Sequence, residues 1–178
     1  MNETVVLKKE DIDRIMRETG ERICRETATI EELAIVGIQT RGVELAGRIR
    51  KVIEEKSSTP VKSGILDITF YRDDLATRGM LPVIKETRIE FNISKMTIVL
   101  VDDVIFTGRT TKAALETLMS FGRPRAIKLF ALIDRGNREL PIQPDYCGHR
   151  VETGIQDKVK VLLQPIDGVE DAVIHVRP

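Results

Sequence analysis

The chain has 178 residues, of which 42 % are hydrophobic and 31 % charged, with 28 Lys and Arg set against 28 Asp and Glu. That balance excludes disordered and fibrous classes and fits a single α/β domain spanning 1–178 with a substantial core. A formal net charge of zero argues against a dedicated nucleic-acid binder, so any RNA contact must rest on a local patch.

Residues 5–7 form a short apolar run, an edge strand or a docking arm. Over Lys9–Glu26 the pattern turns helical, with Ile12, Ile15, Met16, Thr19 and Ile23 on one stripe. Its other face carries Arg14, Arg17, Arg22 and Arg25 interleaved with Asp13, Glu18, Glu21 and Glu26, a solvated mixed-charge face before it is a nucleic-acid stripe. Leu33–Ile38 is a buried strand that ends in Gln39-Thr40-Arg41-Gly42 and gives way to a helix with Val43, Leu45, Ala46, Ile49, Val52 and Ile53 inward. Thr40 and Arg41 set a hydroxyl and a guanidinium beside unpaired helix-start amides, a fit for an anion; taken alone the turn is equally a plain connector. Residues 61–70 and 87–93 read as two strands of a hairpin arm, with a flexible loop at about 71–88 whose tip lies between Asp73 and Lys85. A loop of that length suits a lid that keeps water from a reactive substrate. Lys85 and Arg88 stand at its returning base, within reach of an anion, although single residues of this kind are commonly surface charges.

Four aliphatic residues, 98–101, then run into Asp102 and Asp103. Val104, Ile105 and Phe106 lead to Thr107-Gly108-Arg109-Thr110-Thr111, and a helix follows with Ala114, Leu115, Leu118 and Met119 inward. The run has the habit of a strand buried on both faces in a parallel sheet, and ligands of such sheets bind outside the carboxyl ends of the strands. Free amides at the helix start, the helix dipole and three hydroxyls make a phosphate cradle, with Gly108 for close approach or positive φ and Arg109 as a cation at the rim. Two carboxylates repel a phosphate but suit a hydrogen-bond-donating neighbour, and the vicinal hydroxyls of a ribose are such a group. A 5-phosphorylated ribose satisfies both halves. The loop lacks the G-x-x-x-x-G-K-[ST] of nucleotide triphosphatases and the G-x-G-x-x-G of dinucleotide folds.

Gly122 and Pro124 end that helix, and 126–133 is another buried strand. The long segment 134–148 follows on the same sheet edge, where a base-binding hood belongs, at about 134–157. Tyr146 would stack on a flat base with backbone near Cys147 reading its edge, or else sit in the core. Residues 158–163 and 171–176 read as closing strands. Cys24 and Cys147 are too few and too far apart for a disulfide framework or zinc site, His149 and His175 give no metal cluster, and no stretch is long enough to span a bilayer. The N-terminal residues resemble neither a signal nor a transit peptide, so the expected location is cytoplasmic.

Val101-Asp102-Asp103-Val104 with Thr107-Gly108-Arg109-Thr110 resembles the 5-phosphoribosyl-1-pyrophosphate (PRPP) signature of the type I phosphoribosyltransferases. Together with Tyr71-Arg72-Asp73-Asp74-Leu75, Asp134-Arg135-Gly136 and Arg138-Glu139-Leu140-Pro141, it is similar to the PyrR family over nearly the whole chain. The resemblance implies a central, mainly parallel sheet flanked by helices, with a small hood and a flexible hairpin arm. It implies conversion of uracil and PRPP to UMP and pyrophosphate, with Mg²⁺ carried mainly by PRPP, and UMP-dependent binding of the pyrimidine operon leader mRNA to attenuate transcription. The alternatives are a salvage enzyme without RNA binding and an RNA regulator with vestigial catalysis.

The implied roles place Asp102 and Asp103 at the ribose, Val104 to Thr111 around the 5′-phosphate, and Thr40, Arg41, Gly42, Lys85 and Arg88 at pyrophosphate. Asp134, Arg135, Tyr146 and Cys147 fall to the base hood, and Arg14, Arg17, Arg138, His149 and Arg150 to RNA. No dedicated protein metal site is implied, and a homodimer or higher homo-oligomer is. Asn137 and Gln143 depart from the family pattern, which has His and Arg there; each replaces a potential cation by a neutral amide and weakens the electrostatic case for RNA.

Overall fold

The computed structural model describes residues 2–68 and 86–178. Strand β1 (Asn2–Lys8) runs directly into helix α1 (Lys9–Glu26), and a 3-10 turn at Ile30–Glu32 leads to β2 (Leu33–Ile38) and α2 (Arg41–Ser57). Then come β3 (Lys62–Leu66), β4 (Thr97–Ile105), α3 (Arg109–Met119), β5 (Ala126–Asp134), β6 (Tyr146–Arg150), β7 (Lys158–Leu162), the short α4 (Gln164–Asp167) and β8 (Ala172–Arg177).

Five strands form one sheet in the order β3-β2-β4-β5-β6, every neighbouring pair parallel. All six residues of β2 are buried, as a strand covered on both faces requires. Because side chains alternate along a strand, Leu33, Ile35, Val99, Val101 and Phe130 face the inward stripes of α1 and α2, among them Ile12, Ile23, Leu45, Ile49 and Ile53. The intervening Ala34, Val36, Ile98, Leu100 and Ala131 face Ala114 and Leu118 of α3 and Ile93. A second, antiparallel sheet joins the two ends of the chain in the order β1-β8-β7. Among the described residues no helix is long and apolar enough to cross a membrane.

Several local expectations are revised. Residues 87–93 form no strand; the described base of the arm is a single antiparallel bridge between Ile65 and Arg88, with both N–H···O bonds at 2.8 Å. The tip of the arm, with Tyr71, Arg72, Asp73, Asp74, Leu75 and Lys85, lies outside the described residues. β4 does not stop before the acidic pair but carries it, running on to Ile105. The long segment after β5 leads into β6, one of the sheet's two edge strands. Met119 is 54 % exposed rather than inward, at the last residue of α3.

Arg48 of α2 pairs with Glu44 one turn earlier, at 2.9 Å, and with the buried Asp171 beside β8. Asp171 also accepts the Gln164 N–H at 2.8 Å. Burial works to raise the Asp171 pKa, but the Arg48 guanidinium and that backbone amide outweigh it and hold it below the ordinary 3.8. A folded-state pKa below the unfolded one stabilises the protein above the unfolded value and is lost as pH falls through the folded value. Urea midpoints measured from pH 6 down to pH 2 should therefore fall below about pH 4. Asp171→Asn should be less stable at pH 6 and lose part of that acid slope; a variant with the wild-type slope would exclude Asp171 as a source.

Candidate functional site

Parallel pairing in the order β2-β4-β5-β6 brings the carboxyl ends of these strands to one edge. There the Thr40–Gly42 turn after β2, the acidic pair of β4 and Asp134 at the end of β5 lie side by side. A close approach holds this edge together. A Cβ on Gly42 would fall 2.4 Å from the Val101 carbonyl oxygen and 3.3 Å from Asp102 Cα. Glycine is required here by space and not by backbone conformation, since Gly42 does not adopt a positive φ. The Gln39–Thr40 peptide is cis, and Thr40 sits at the N-cap of α2.

Asp102 is buried, with 7 % of its surface exposed, and its Oδ1 accepts the Asp103 N–H at 2.9 Å. Asp103 is half-buried and its Oδ1 accepts the Val104 N–H at 2.9 Å. Each carboxylate thus has one oxygen oriented by backbone.

The loop then turns through Gly108, whose φ of 92° makes it the left-handed N-cap of α3. The Arg109 N–H reaches Thr107 Oγ1 at 3.3 Å, and the first-turn amides of α3 face the loop. Thr111 is buried and Thr110 half-buried. Arg109 pairs with Glu139 at 2.6 Å.

That last contact belongs to a strut that sequence reasoning missed. Glu139 and Leu140 N–H groups donate to the Thr107 carbonyl at 2.9 and 3.1 Å. Arg138, 12 % exposed at its side chain, pairs with Asp134 at 2.8 Å and donates to the carbonyls of Phe106 and Ile142, each at 2.8 Å. Instead of standing at an RNA surface, as expected, Arg138 faces inward and ties the 104–111 loop to the 134–143 segment. Its i, i+4 spacing from Asp134 is visible in the sequence; its backbone partners are not.

Residues between Asp134 and Thr153 line an open hollow of about 610 Å³, among them Arg135, Asn137, Arg138 and Arg150. Arg135 does not point its charge into solvent. It is 9 % exposed, stacks over the Phe106 ring at 4.0 Å and donates to Thr153 Oγ1 and to the Gly154 and Asp157 carbonyls. Burial lowers its pKa, partly offset by Asp157. Cys147 pairs in register with Ala131, and burial first, then the Asp134 charge, pushes its thiol pKa up.

Tyr146 is the clear correction. It begins β6 opposite Phe130, at the amino end of that strand, and is 3 % exposed. Its hydroxyl donates to Glu26 at 2.9 Å, and Arg22 lies 4.8 Å over its ring. Burial first, then the Glu26 carboxylate, raises its pKa beyond the ordinary 10.0. It is a core residue packed on the α1 side of the sheet, level with Val101, because β6 begins inside the stretch expected to form the hood.

Of the other expected residues, Arg41 pairs with Asp167 at 2.6 Å. Arg88 is paired loosely with Glu86 and Glu90 at 3.7 and 3.9 Å, and Lys85 lies outside the described residues. Arg14 is paired with Asp11 and Glu18 at 3.3 and 3.7 Å, while Arg17, His149 and Arg150 are exposed.

A family model described as the phosphoribosyl transferase domain matches residues 6–161. A protein of Roseiflexus sp. (strain RS-1) named "Bifunctional protein PyrR" is 46 % identical over 177 residues, covering 99 % of this chain and 97 % of the relative. A protein of the same name from Pelotomaculum thermopropionicum is 47 % identical over 169 residues, covering 95 % and 93 %. Among solved structures, a hypoxanthine phosphoribosyltransferase of Trypanosoma cruzi, a point mutant in a ternary substrates complex, aligns with a TM-score of 0.74 at 15 % identity over 98 % of this chain and 95 % of that one. That likeness concerns the fold: a central parallel sheet flanked by helices.

Proposed function

We propose, on the premise that this chain belongs to the PyrR family and carries its phosphoribosyltransferase domain, that it transfers the phosphoribosyl group of PRPP to uracil, and that the UMP-bound form binds pyrimidine operon leader mRNA. The observation that carries the first half is the gathering, at one sheet edge, of an acidic pair, a glycine-capped threonine loop and an anion turn.

In this reading the uracil ring nitrogen attacks the anomeric carbon as the bond to pyrophosphate breaks. The protein forms no covalent bond; it aligns the partners and stabilises charge. The loop from Val104 to Thr111 holds the 5′-phosphate, Asp102 and Asp103 take the ribose hydroxyls, and Thr40, Arg41 and Gly42 meet pyrophosphate, with Lys85 and Arg88 closing from the arm. The base enters the cavity between Asp134 and Thr153, near Cys147. Mg²⁺, carried mainly by PRPP, would offset the leaving group's negative charge, and the two adjacent carboxylates of β4 are donors of the oxygen type it prefers. Self-association into a homodimer or larger assembly and a cytoplasmic location belong to the same proposal.

One observation favours the salvage enzyme as a second reading: Arg14 and Arg138, two of the five residues proposed for RNA, already have carboxylate partners. A single preparation separates the readings. UMP should accumulate from uracil, PRPP and Mg²⁺, and a gel shift with the organism's own pyrimidine leader should strengthen when UMP is added. No UMP formation would sink the enzyme; no shift even at low salt would leave salvage alone.

A further inference from the structure

The ion pair between Arg41 and Asp167 joins the anion turn to a segment 126 residues away that no motif singled out. Arg41 opens α2 at the carboxyl edge of the main sheet, and Asp167 closes α4 beside the second sheet. The pair is 2.6 Å long, with side chains 33 % and 17 % exposed.

Asp167 is held as a fixed acceptor. Its Oδ2 takes the Leu163 N–H at 2.8 Å, and its own N–H donates to the Leu163 carbonyl at 2.8 Å. The turn it belongs to is fastened in addition by Asp171, which accepts the Gln164 N–H and pairs with Arg48. Arg48 lies on the same helix as Arg41, so α2 is gripped twice by residues 163–171. Burial works against the charge on Asp167, but the Leu163 amide and the Arg41 guanidinium outweigh it and keep its pKa below the ordinary 3.8.

The guanidinium, by contrast, is only partly satisfied. Arg41 Nε is buried and has no hydrogen-bond partner. With Nη2 anchored on Asp167 and a third of the side chain still exposed, the planar fork is oriented yet accessible, the condition for a side chain that awaits a second anion. Fixing it beforehand removes rotamer freedom that binding would otherwise have to remove.

We propose that Asp167 is a positioning residue for the pyrophosphate half of PRPP, holding the Arg41 guanidinium in place at the anion turn. This rests on the assignment of Arg41 to pyrophosphate made above. Asp167 touches no substrate and acts through Arg41.

The test compares two ligands that share the 5′-phosphoribosyl group and differ in pyrophosphate. Mg²⁺·PRPP and UMP are titrated calorimetrically into wild type, Asp167→Asn and Arg41→Gln. Asparagine keeps the size of the side chain and an oxygen for the Leu163 amide. The expected result is a loss of PRPP affinity of about tenfold in Asp167→Asn, with UMP affinity within about twofold and Asp167→Glu recovering part of the loss. Arg41→Gln should lose at least as much, and the double variant no more than Arg41→Gln alone. Equal losses for PRPP and UMP in Asp167→Asn would mark a structural role and overturn the inference. Unchanged PRPP affinity in Asp167→Asn beside a loss in Arg41→Gln would overturn it while leaving Arg41 at pyrophosphate. Unchanged PRPP affinity in Arg41→Gln would overturn the assignment of Arg41 itself, and the inference with it.

Discussion

Asparagine in place of Asp103 should lower the rate of UMP formation at saturating uracil and PRPP by about 100-fold, with a thermal midpoint within about 2 °C of wild type. The substitution is nearly isosteric, and the oxygen that accepts the Val104 N–H at 2.9 Å can stay in place. What changes is charge. As pyrophosphate departs, the ribose acquires positive character, and a carboxylate at the strand end stabilises that state more than the neutral ground state. Asp103 is half-buried, so solvent screens part of its field, and the expected loss sits at the lower end of the range for preorganised electrostatic groups. Asp102 is buried and supports the Asp103 N–H, so its replacement should cost stability as well as rate and is the poorer probe. Initial rates paired with a melting curve decide the point. A turnover within about threefold of wild type would remove Asp103 from the chemistry.

What could be read from the sequence was local. The stretch 98–111 announces a buried strand, a glycine-capped turn and a helix start because aliphatic residues, carboxylates, glycine and threonines follow one another within one supersecondary unit. The stripes of α1 and α2 were likewise visible, since burial repeats every three or four residues. Errors arose where an edge or a distant partner decides. β6 was hidden because an edge strand needs little apolar surface: only Tyr146 of its five residues is buried. Missing that strand placed Tyr146 in the hood instead of in the core beside α1. Arg138 looked like a surface cation because its acceptors, Phe106 and Ile142 carbonyls, are backbone atoms without a residue signature. Asp167 carries no local sequence signal, since its partner lies 126 positions away. In each case the missing information is a contact that the chain makes only after it folds.

Alanine at position 42 is the most severe single-atom test of the site's construction. An added Cβ would stand 2.4 Å from the Val101 carbonyl oxygen, with Asp102 Cα at 3.3 Å on the same side. Both obstacles are backbone, so no rotamer change makes room; either the start of α2 moves away from β4 or the strand distorts. Overpacking of this kind costs about 3 kcal/mol at the upper end of the usual range, which for a chain of this length lowers the melting midpoint by about 10 °C. The functional loss should exceed what unfolding explains. The displaced backbone carries Arg41 on one side and Asp102 on the other, and shifts of about 1 Å between reacting groups cost on the order of 100-fold in rate. Gly47 provides the matched control, because it lies in the same helix and a Cβ there meets nothing within 4 Å. Gly47→Ala should raise stability by about 0.5–1 kcal/mol through helix propensity and unfolded-chain entropy and leave turnover intact. Melting curves and initial rates at a temperature where both variants are folded separate the two effects. A Gly42→Ala protein that melts with wild type and retains its PRPP affinity would show that the α2 start can move freely against β4, and the steric argument for the anion turn would fail.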